Sequence, residues 1–384
     1  MTVSILTILV DRANYGRLKP LMHRLDNDSR FNQTVLCTGS MPLRRFGRVS
    51  DQVRLDGFNT LPDLYIEIEG GENVSMGMSV GVGIQSISTV LSYHRPDYIL
   101  LIGDRFEALA ATISAVYQNI RVIHLQGGES SGSIDESNRH AISKLSHLHF
   151  PATEKAKGIL LRMGENPKFV HNCGCPVGDI IINGSLPEIN KIGKVHGLGN
   201  LASESYGVVA FHPNTVSIET LNDSLNKIVI GVNTALEKKL LDKVIWLWPN
   251  IDAGSDQIHV QLRKLAVDNN YKIKFIKSFE PLEYQSIIKN AAILIGNSSS
   301  FVRDSSFTGT KVLLLGDRQL AREFSSNVTL LSMFDENSIL AAMKNIMNNK
   351  VKQPSYLYGN GNSSKEIVDI IARSRPPLQK TFFE

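Results

Sequence analysis

The feature that most constrains this chain is a unit that recurs along it: a short β-branched run, a loop containing Gly or Asp, then a helical stretch. Residues 4–10 read as a strand followed by a helix over 15–26, and 33–37 as a second strand. The apolar run 98–102 leads through Gly103-Asp104-Arg105 into a helix over 106–118. A strand over 121–124 ends at Gln126-Gly127-Gly128-Glu129, a helix is expected over 137–148, and 149–152 read as a strand edge. Such alternation predicts a parallel sheet with helices on both faces. The pattern then restarts. Strands are expected at 207–211, 244–248, 272–276, 292–295 and 311–315, with helices over 217–237, 281–290 and from 299 through 307. The chain is therefore expected to be α/β, with two doubly wound halves. The junction is placed between Val177 and Ser205, where strand signals thin out and Gly, Lys and Asn accumulate. The expected boundaries are 1–180 and 181–384, in line with a length of 384 residues. In open parallel sheets a ligand sits at the carboxyl ends of the strands. The polar clusters of both halves fall there, and two such halves facing one another would form a cleft for a small ligand.

Composition excludes several classes. With 42% hydrophobic and 20% charged residues the chain can build a sizeable core without disulfides or a structural metal. A net charge of +4, dispersed along the chain, gives no footprint for a nucleic-acid partner. No apolar run is read as long enough for a membrane span. The apolar opening from Val3 lacks a basic leader and a small-residue cleavage site, so it is read as a first strand rather than a signal peptide. Three cysteines, Cys37, Cys173 and Cys175, are an odd number without a Cys-x-x-Cys pair. The expected compartment is a reducing cytoplasm, where Asn297-Ser298-Ser299 says nothing about glycosylation.

Five clusters carry candidate chemistry. Arg12-Ala13-Asn14-Tyr15-Gly16 could bind phosphate through Arg12 and the free amides of the following helix, or Arg12 could be a solvated loop residue. A Gly-x-Gly-x-x-Gly dinucleotide fingerprint is absent. Asp104 and Arg105 stand at a strand end suited to chemistry, although Asp104 would serve equally well as the N-cap of the next helix. The densest polar segment runs from His124 to His140. Its glycines, Gly127, Gly128 and Gly132, would allow close backbone approach to a ligand. Asp135, or Ser133, could cap the helix that carries Arg139, His140 and Lys144. Capping explains one acid but not the set of Gln126, Glu129, Asp135, Glu136 and Arg139.

In the second half, His212-Pro213-Asn214 and Trp248-Pro249-Asn250-Ile251-Asp252 end two strands with a proline turn. His212 is a group that can move a proton near neutral pH, or a structural loop histidine. Gly296-Asn297-Ser298-Ser299-Ser300 is a small-residue turn before a helix carrying Arg303 and Asp304; it reads as a phosphate cradle or as an ordinary serine cap. Arg318 and Arg322 follow the next strand as added cations or as solvated surface arginines. No metal-ligand spacing and no nucleophile-His-acid order stands out. Arginines, an anion turn and scattered carboxylates suggest a nucleoside-diphosphate ligand and acid/base work on its other half.

Seven stretches then carry a specific resemblance: Gly103-Asp104-Arg105-Phe106-Glu107, the segment from Gly127 to Leu145, and the later His212-Pro213, Pro249-Asn250-Ile251-Asp252-Ala253-Gly254-Ser255, Gly296-Asn297-Ser298-Ser299, Arg318-Gln319 and Pro377-Leu378-Gln379-Lys380. In order and over nearly the whole chain, these resemble the hydrolysing UDP-N-acetylglucosamine 2-epimerases, which include bacterial enzymes of sialic and legionaminic acid synthesis and the epimerase half of the animal bifunctional epimerase/kinase. The resemblance implies a GT-B-like fold, two Rossmann-like domains with the active site between them and the C-terminal segment packing back on the first. It implies anti elimination of the nucleoside diphosphate to a 2-acetamidoglycal, then hydration to the free 2-epimer. By position it assigns Asp104, Gln126 and Asp135 to the family's catalytic acidic trio and His212 to the histidine of its His-Pro motif. Arg12, Arg105, Ser298, Ser299, Asp304 and Arg318 match nucleotide-contacting positions, and Glu129, Arg139, Asn250 and Asp252 join the candidate binding set. It implies no metal and no redox cofactor, a nucleotide-sugar partner and a homodimer or higher homo-oligomer; the charge and the apolar runs give the further expectation of no nucleic-acid and no membrane partner.

Three positions depart from the family pattern. His124-Leu125-Gln126-Gly127-Gly128-Glu129 carries Gln where the motif has Glu, Asn14 stands where Asp is usual after Arg-Ala, and Asp304 is one methylene shorter than the usual Glu. An amide is no general base at neutral pH, although it still hydrogen-bonds. Glu129 or Glu136 could substitute. The rival readings are a sugar-nucleotide hydrolase that leaves carbon 2 uninverted, and a binding protein that has lost the chemistry through Gln126.

Overall fold

The computed structural model describes residues 2–70, 72–213, 218–249, 252–268, 272–349 and 352–384. They form two units, one of residues 1–130, 134–183 and 358–384, the other of residues 131–133 and 184–357. Apart from residues 131–133, the chain passes from the first unit to the second between Asn183 and Gly184, and the closing segment from Tyr358 belongs to the first unit.

The first unit runs β1 (Val3–Leu9), α1 (Arg12–Asp26), β2 (Phe31–Cys37), α2 (Val49–Leu55), α3 (Asn73–His94), β3 (Tyr98–Ile102), α4 (Phe106–Val116), β4 (Arg121–Leu125), α5 (Ile134–Leu145), β5 (Leu148–Phe150), α6 (Glu154–Arg162) and α7 (Val177–Asn183). Its sheet has the order β2-β1-β3-β4-β5, with every pairing parallel. All five residues of β3 are buried. Helices cover both faces, so the strand needs no polar side. Alternate residues feed two cores: Tyr98, Leu100 and Ile102 meet Tyr15, Leu18 and Ile367, whereas Ile99 and Leu101 meet Ile87, Leu91, Ala108 and Ala111. The last helix of the chain, Ser363–Arg373, supplies Ile367 and Ile371 to the first of these cores. Beyond it, Lys380 Nζ lies 2.7 Å from Glu165 Oε2, which also accepts from His149 Nε2 at 2.9 Å.

The second unit runs α8 (Ile189–Val195), β6 (Tyr206–Ala210), α9 (Leu221–Glu237), β7 (Lys243–Leu247), α10 (Ser255–Asp268), β8 (Ile273–Ile276), α11 (Pro281–Asn290), β9 (Ile293–Gly296), α12 (Ser299–Arg303), β10 (Val312–Leu315), β11 (Val328–Leu331) and α13 (Glu336–Asn348). Its parallel sheet has the order β11-β10-β9-β6-β7-β8. One face is closed by Leu225, Ile228 and Val232 of α9 and by Ile339 and Met343 of α13.

Two readings of helix starts are corrected. The helix expected from 137 begins at Ile134, so Asp135 and Glu136 lie inside its first turn and Asp135 is not its cap. A carboxylate there is favoured by the positive helix end as well as by a capping role. Asp104 does not cap α4: the N-cap residue is Arg105, whose side chain makes no capping bond. A third correction concerns apolar length. α3, 22 residues long with an 18-residue window of mean hydropathy 1.4, is long and apolar enough to cross a membrane by length and composition, contrary to the expectation that no run is.

Candidate active site

Strand order fixes where each unit can hold a ligand. In the first sheet the chain moves from β1 to β2 on one side and to β3 on the other, so the direction reverses between β1 and β3. Loops leaving two such strands diverge and leave a crevice at their carboxyl ends. Asp11-Arg12-Ala13-Asn14 leaves β1 there and Gly103-Asp104-Arg105 leaves β3. A side chain on Gly103 would lie 4.0 Å from Asn14 Nδ2, which puts the two loops side by side. Asp11 caps α1 by accepting from the Asn14 amide at 2.7 Å, and Arg12 is the half-buried first residue of that helix.

Asp104 is paired with Arg139 of α5. Arg139 Nε donates to Asp104 Oδ2 at 3.0 Å and a terminal nitrogen donates to the same oxygen. Another terminal nitrogen donates to the Glu129 carbonyl at 2.6 Å. Arg139 is only 1% exposed, so this guanidinium is a fixed internal cation joining the loops after β3 and β4. Arg105 is placed differently. It forms a forked pair with Glu107, at 3.1 and 2.9 Å, and both side chains are buried. Burial and the adjacent Glu107 carboxylate push the nearby Glu67 carboxyl up to about 9. Burial raises the Glu107 carboxyl as well, and the Arg105 guanidinium beside it opposes that shift.

The β4 end turns on Gln126, which takes a left-handed backbone (φ 61°) and is buried. Its Nε2 donates to Cys175 Sγ at 3.0 Å, while its Oε1 is enclosed without a hydrogen-bond partner among the described residues. Before it, His124 joins Gly103 to α5: Nε2 bonds the Gly103 carbonyl at 2.7 Å and Nδ1 bonds Ser143 Oγ at 3.1 Å. The carbonyl requires Nε2 to be a donor, and in the neutral ring Nδ1 then accepts from the Ser143 hydroxyl. Burial lowers the His124 pKa to about 3. The unfolded chain takes up this proton near 6.5, the folded chain only near 3, so its contribution is full above pH 6.5 and declines as pH falls towards 3. Its expected slope is up to about 1.4 kcal/mol per pH unit. Urea unfolding at pH 7.5 and 5.5 checks this: His124→Gln, which keeps a donor for the Gly103 carbonyl, is expected to reduce the pH slope by up to one proton.

In the second sheet the reversal lies between β6 and β9. Asn297, after β9, accepts from the His212 amide through Oδ1 and donates to the His212 carbonyl through Nδ2, each at 2.8 Å. This side chain stitches the two loops together where the strands part. Arg318 and Gln319 both donate to the Asn297 carbonyl, at 3.4 and 3.3 Å, and Arg322 Nε donates to Gln319 Oε1 at 2.7 Å. Ser298 precedes α12, and its hydroxyl bonds Ser300 Oγ at 2.9 Å rather than capping the helix. Ser299 opens α12, while Asp304 is buried and accepts from Gln285 Nε2 at 3.0 Å. Asp252 is buried just before α10. Asn250 lies outside the described residues. Asp135, exposed to an intermediate degree on the first turn of α5, follows residues 131–133, whose Gly132 amide donates to the Arg318 carbonyl at 3.1 Å.

The structure thus gathers Asp104, Gln126, Glu129 and Arg139 at one strand-end cluster, and His212, Ser298 and Arg318 around Asn297 at another. Cys175 and Asn297 were not singled out as site residues. Cys175 is distant in sequence from Gln126 and has no motif of its own; Asn297 stood in the small-residue turn, but its amide staple depends on two loops meeting. Among the described residues no group of three or more His, Cys, Asp or Glu side chains is arranged to hold a metal.

The UDP-N-acetylglucosamine 2-epimerase family model matches residues 23–372. The chain is 28% identical over 371 residues to a hydrolysing UDP-N,N'-diacetylbacillosamine 2-epimerase of Legionella pneumophila, covering 97% of this chain and 96% of the relative. It is 30% identical over 327 residues to a UDP-N-acetylglucosamine 2-epimerase of Neisseria meningitidis, covering 84% and 82%. A crystal structure of the UDP-GlcNAc 2-epimerase of Methanocaldococcus jannaschii, in complex with UDP-GlcNAc and UDP, superposes with a TM-score of 0.79 at 20% identity, covering 97% of this chain and all of that one. The fold is GT-B-like, built from two Rossmann-like units. The chain belongs to the UDP-N-acetylglucosamine 2-epimerase family and is an enzyme of that kind.

Proposed function

We propose that this enzyme is a hydrolysing 2-epimerase of a nucleoside-diphosphate amino sugar, releasing the free 2-epimer and the nucleoside diphosphate. The substrate is UDP-N-acetylglucosamine or a UDP- or GDP-linked 2,4-diacetamido-6-deoxy sugar, in the cytoplasmic synthesis of nonulosonic acids. The observation that carries the reading is Asp104, held by the buried Arg139 at the switch point of the first sheet, in a chain of this family.

The task is to remove the proton from carbon 2 while the anomeric C–O bond breaks. That requires an acceptor near carbon 2 and positive groups on the departing diphosphate. In this reading Asp104 accepts or returns the proton and Asp135 is the second carboxylate. Arg12, Arg318, Ser298 and Ser299 meet the diphosphate and His212 assists the leaving group. Arg105 and Asp304 support these loops from within, since their charged groups already face Glu107 and Gln285. The glycal left by elimination takes up water at carbon 1 and a proton at carbon 2 from the other face, which gives inversion. Gln126 replaces a carboxylate with an amide whose carbonyl end hydrogen-bonds but cannot take a proton.

Incubation with UDP- and GDP-linked amino sugars in D2O, followed by proton NMR, tests the reading. Deuterium at carbon 2 of a released manno-configured sugar is expected. Release without deuterium would instead indicate plain hydrolysis, and saturable binding without release a binding protein. Gln126→Glu is expected to raise turnover by about tenfold. Cys175 can turn its S–H toward the new carboxylate, so the exchange keeps the local contact. Unchanged or lower turnover would mean that no acid is missing at this position.

A further inference from the structure

Glu165 of the first unit lies outside every cluster assigned to the chemistry, yet it is 2% exposed and engages three separate elements. Its Oε2 accepts from His149 Nε2 of β5 at 2.9 Å and lies 2.7 Å from Lys380 Nζ of the closing segment. Its Oε1 accepts from Lys144 Nζ of α5 at 3.1 Å. Burial by itself would raise this carboxyl, but the bonds from His149 and Lys380 hold it down at about 2, so it is an anion at neutral pH. A buried charge persists only when paired, and each partner withdrawn leaves part of it uncompensated.

The two lysines also complete two helices. Lys380 Nζ donates to the Lys144 carbonyl in the last turn of α5, at 2.7 Å, and Lys144 Nζ donates to the Met163 carbonyl at the end of α6, at 2.9 Å. Cations there meet carbonyls that a helix leaves without an internal partner. Further bonds seat the closing segment. The Val122 amide donates to His147 Nδ1 at 3.1 Å, so His147 Nε2 carries the proton that bonds the Leu378 carbonyl at 3.1 Å. The Phe383 amide donates to the Gly164 carbonyl at 3.0 Å, and a side chain on Gly164 would fall 2.2 Å from the Phe382 ring.

The elements tied to Glu165 are those that hold the strand-end cluster. Phe150, the last residue of β5, accepts from the Gln126 amide at 2.9 Å. α5 carries Arg139, which holds Asp104 and the Glu129 carbonyl. α6 sets Ala156 and Leu160 against Gly128. β5 depends on the tie most. It has three residues and stands at the sheet edge, where among the described residues its free side makes a single bridge, from His149 to Val170. We propose that Glu165 is a positioning residue for proton transfer at carbon 2: together with Lys380 it anchors α5 and α6 at their C-terminal ends and β5 at its centre, and so keeps Gln126, Glu129 and Arg139 in place around Asp104. Both residues act through others.

Hydrogen exchange of the full chain, read by mass spectrometry, tests the coupling directly. In Glu165→Gln the amides of residues 124–130 and 134–145 are expected to exchange about tenfold faster than in the wild type, with those of β6 and β9 in the second unit unchanged. Turnover, the arm that rests on the proposed function, is expected to fall about tenfold to a hundredfold while KM stays within about twofold. Lys380→Met, which removes the charge and keeps the length, is expected to show the same pattern at lower amplitude, and it decides the matter should Glu165→Gln fold poorly. Lys380→Arg, which restores the cation, is expected to return both readouts to the wild-type level. Wild-type exchange at residues 124–130 in a folded variant would overturn the proposal, as would faster exchange in both units alike, unchanged turnover in a variant whose exchange has risen, or no rescue by Lys380→Arg. A wild type that turns over no amino-sugar nucleotide would count against the proposed function instead, and the exchange pattern alone would then decide whether Glu165 governs the cluster.

Discussion

Asp104→Asn is expected to lower turnover by about a hundredfold to ten-thousandfold, while affinity for the nucleoside diphosphate changes little. The variant is nearly isosteric, so the loop after β3 keeps its length and shape. It removes the one property that matters to proton transfer, a carboxylate at the β1/β3 switch point. It also leaves Arg139, 1% exposed, facing an amide instead of an anion. Removing one partner of a fully buried ion pair costs about 3–5 kcal/mol, and the loss here is expected to be smaller because the Asp104 side chain is 22% exposed. The variant will therefore also be less stable, and activity must be read well below its unfolding temperature. Two measurements separate the effects. Calorimetry with UDP or GDP reports whether the fold and nucleotide site survive; solvent-deuterium incorporation at carbon 2 reports the chemistry. Retained nucleotide affinity with lost incorporation is the expected pair. Wild-type incorporation by the variant would remove Asp104 from proton transfer and leave Asp135 to carry it.

Most strands and the site loops were legible in the sequence because their ends are punctuated by Gly, Asp, Asn or Pro; β11, which is followed by Ser332-Met333-Phe334, was not. Tyr98–Ile102 is an uninterrupted apolar run because both sides of that strand are covered. Pro281–Asn290 could be bounded to the residue because Pro281 stands in its first turn and Glu280 and Glu283 close a capping box. α3 was not legible. Its N-terminal half buries Ser75, Ser79 and Gly83 while Val74 and Met78 are exposed, and apolar residues turn inward only from Ile87, so the usual amphipathic pattern is broken. α5 was placed too late because the two acids of its first turn read as loop residues. Within the site, positions along the chain were readable but partners were not. Arg105 and Arg139 look alike as sequence, yet one is matched by Glu107 two residues away and the other by Asp104 from a different element. The pairing of Gln126 with Cys175 joins positions 49 residues apart, a distance over which no local pattern operates.

The glycines of the β4 loop show how far such a reading reaches, and they yield the second large effect. Gly127 and Gly128 read as openings for a ligand. In the structure both are required by the protein's own packing. A side chain on Gly127 would fall 2.6 Å from Ser143 Oγ, the hydroxyl that bonds His124; one on Gly128 would fall 2.2 Å from the Ala156 carbonyl oxygen and 2.8 Å from Leu160 Cγ, both on α6. Gly128 also has φ 78°, a left-handed backbone that costs other residues about 1–2 kcal/mol. Gly128→Ala is therefore expected to lose about 2–5 kcal/mol, the sum of that cost and about 1–3 kcal/mol for forcing α6 aside. Gly57→Ala supplies the comparison. Its φ is 88° but its side chain would meet nothing within 4 Å, so it bears the backbone cost alone. Denaturant unfolding of the two variants separates strain from collision. Equal losses would mean that α6 yields freely to Gly128→Ala and that the loop carrying Gln126 and Glu129 is not braced by α6. A larger loss at Gly128, together with weaker nucleotide-sugar turnover, would mean that the strand-end cluster keeps its geometry because the Ala156 carbonyl of α6 packs directly against a residue with no side chain.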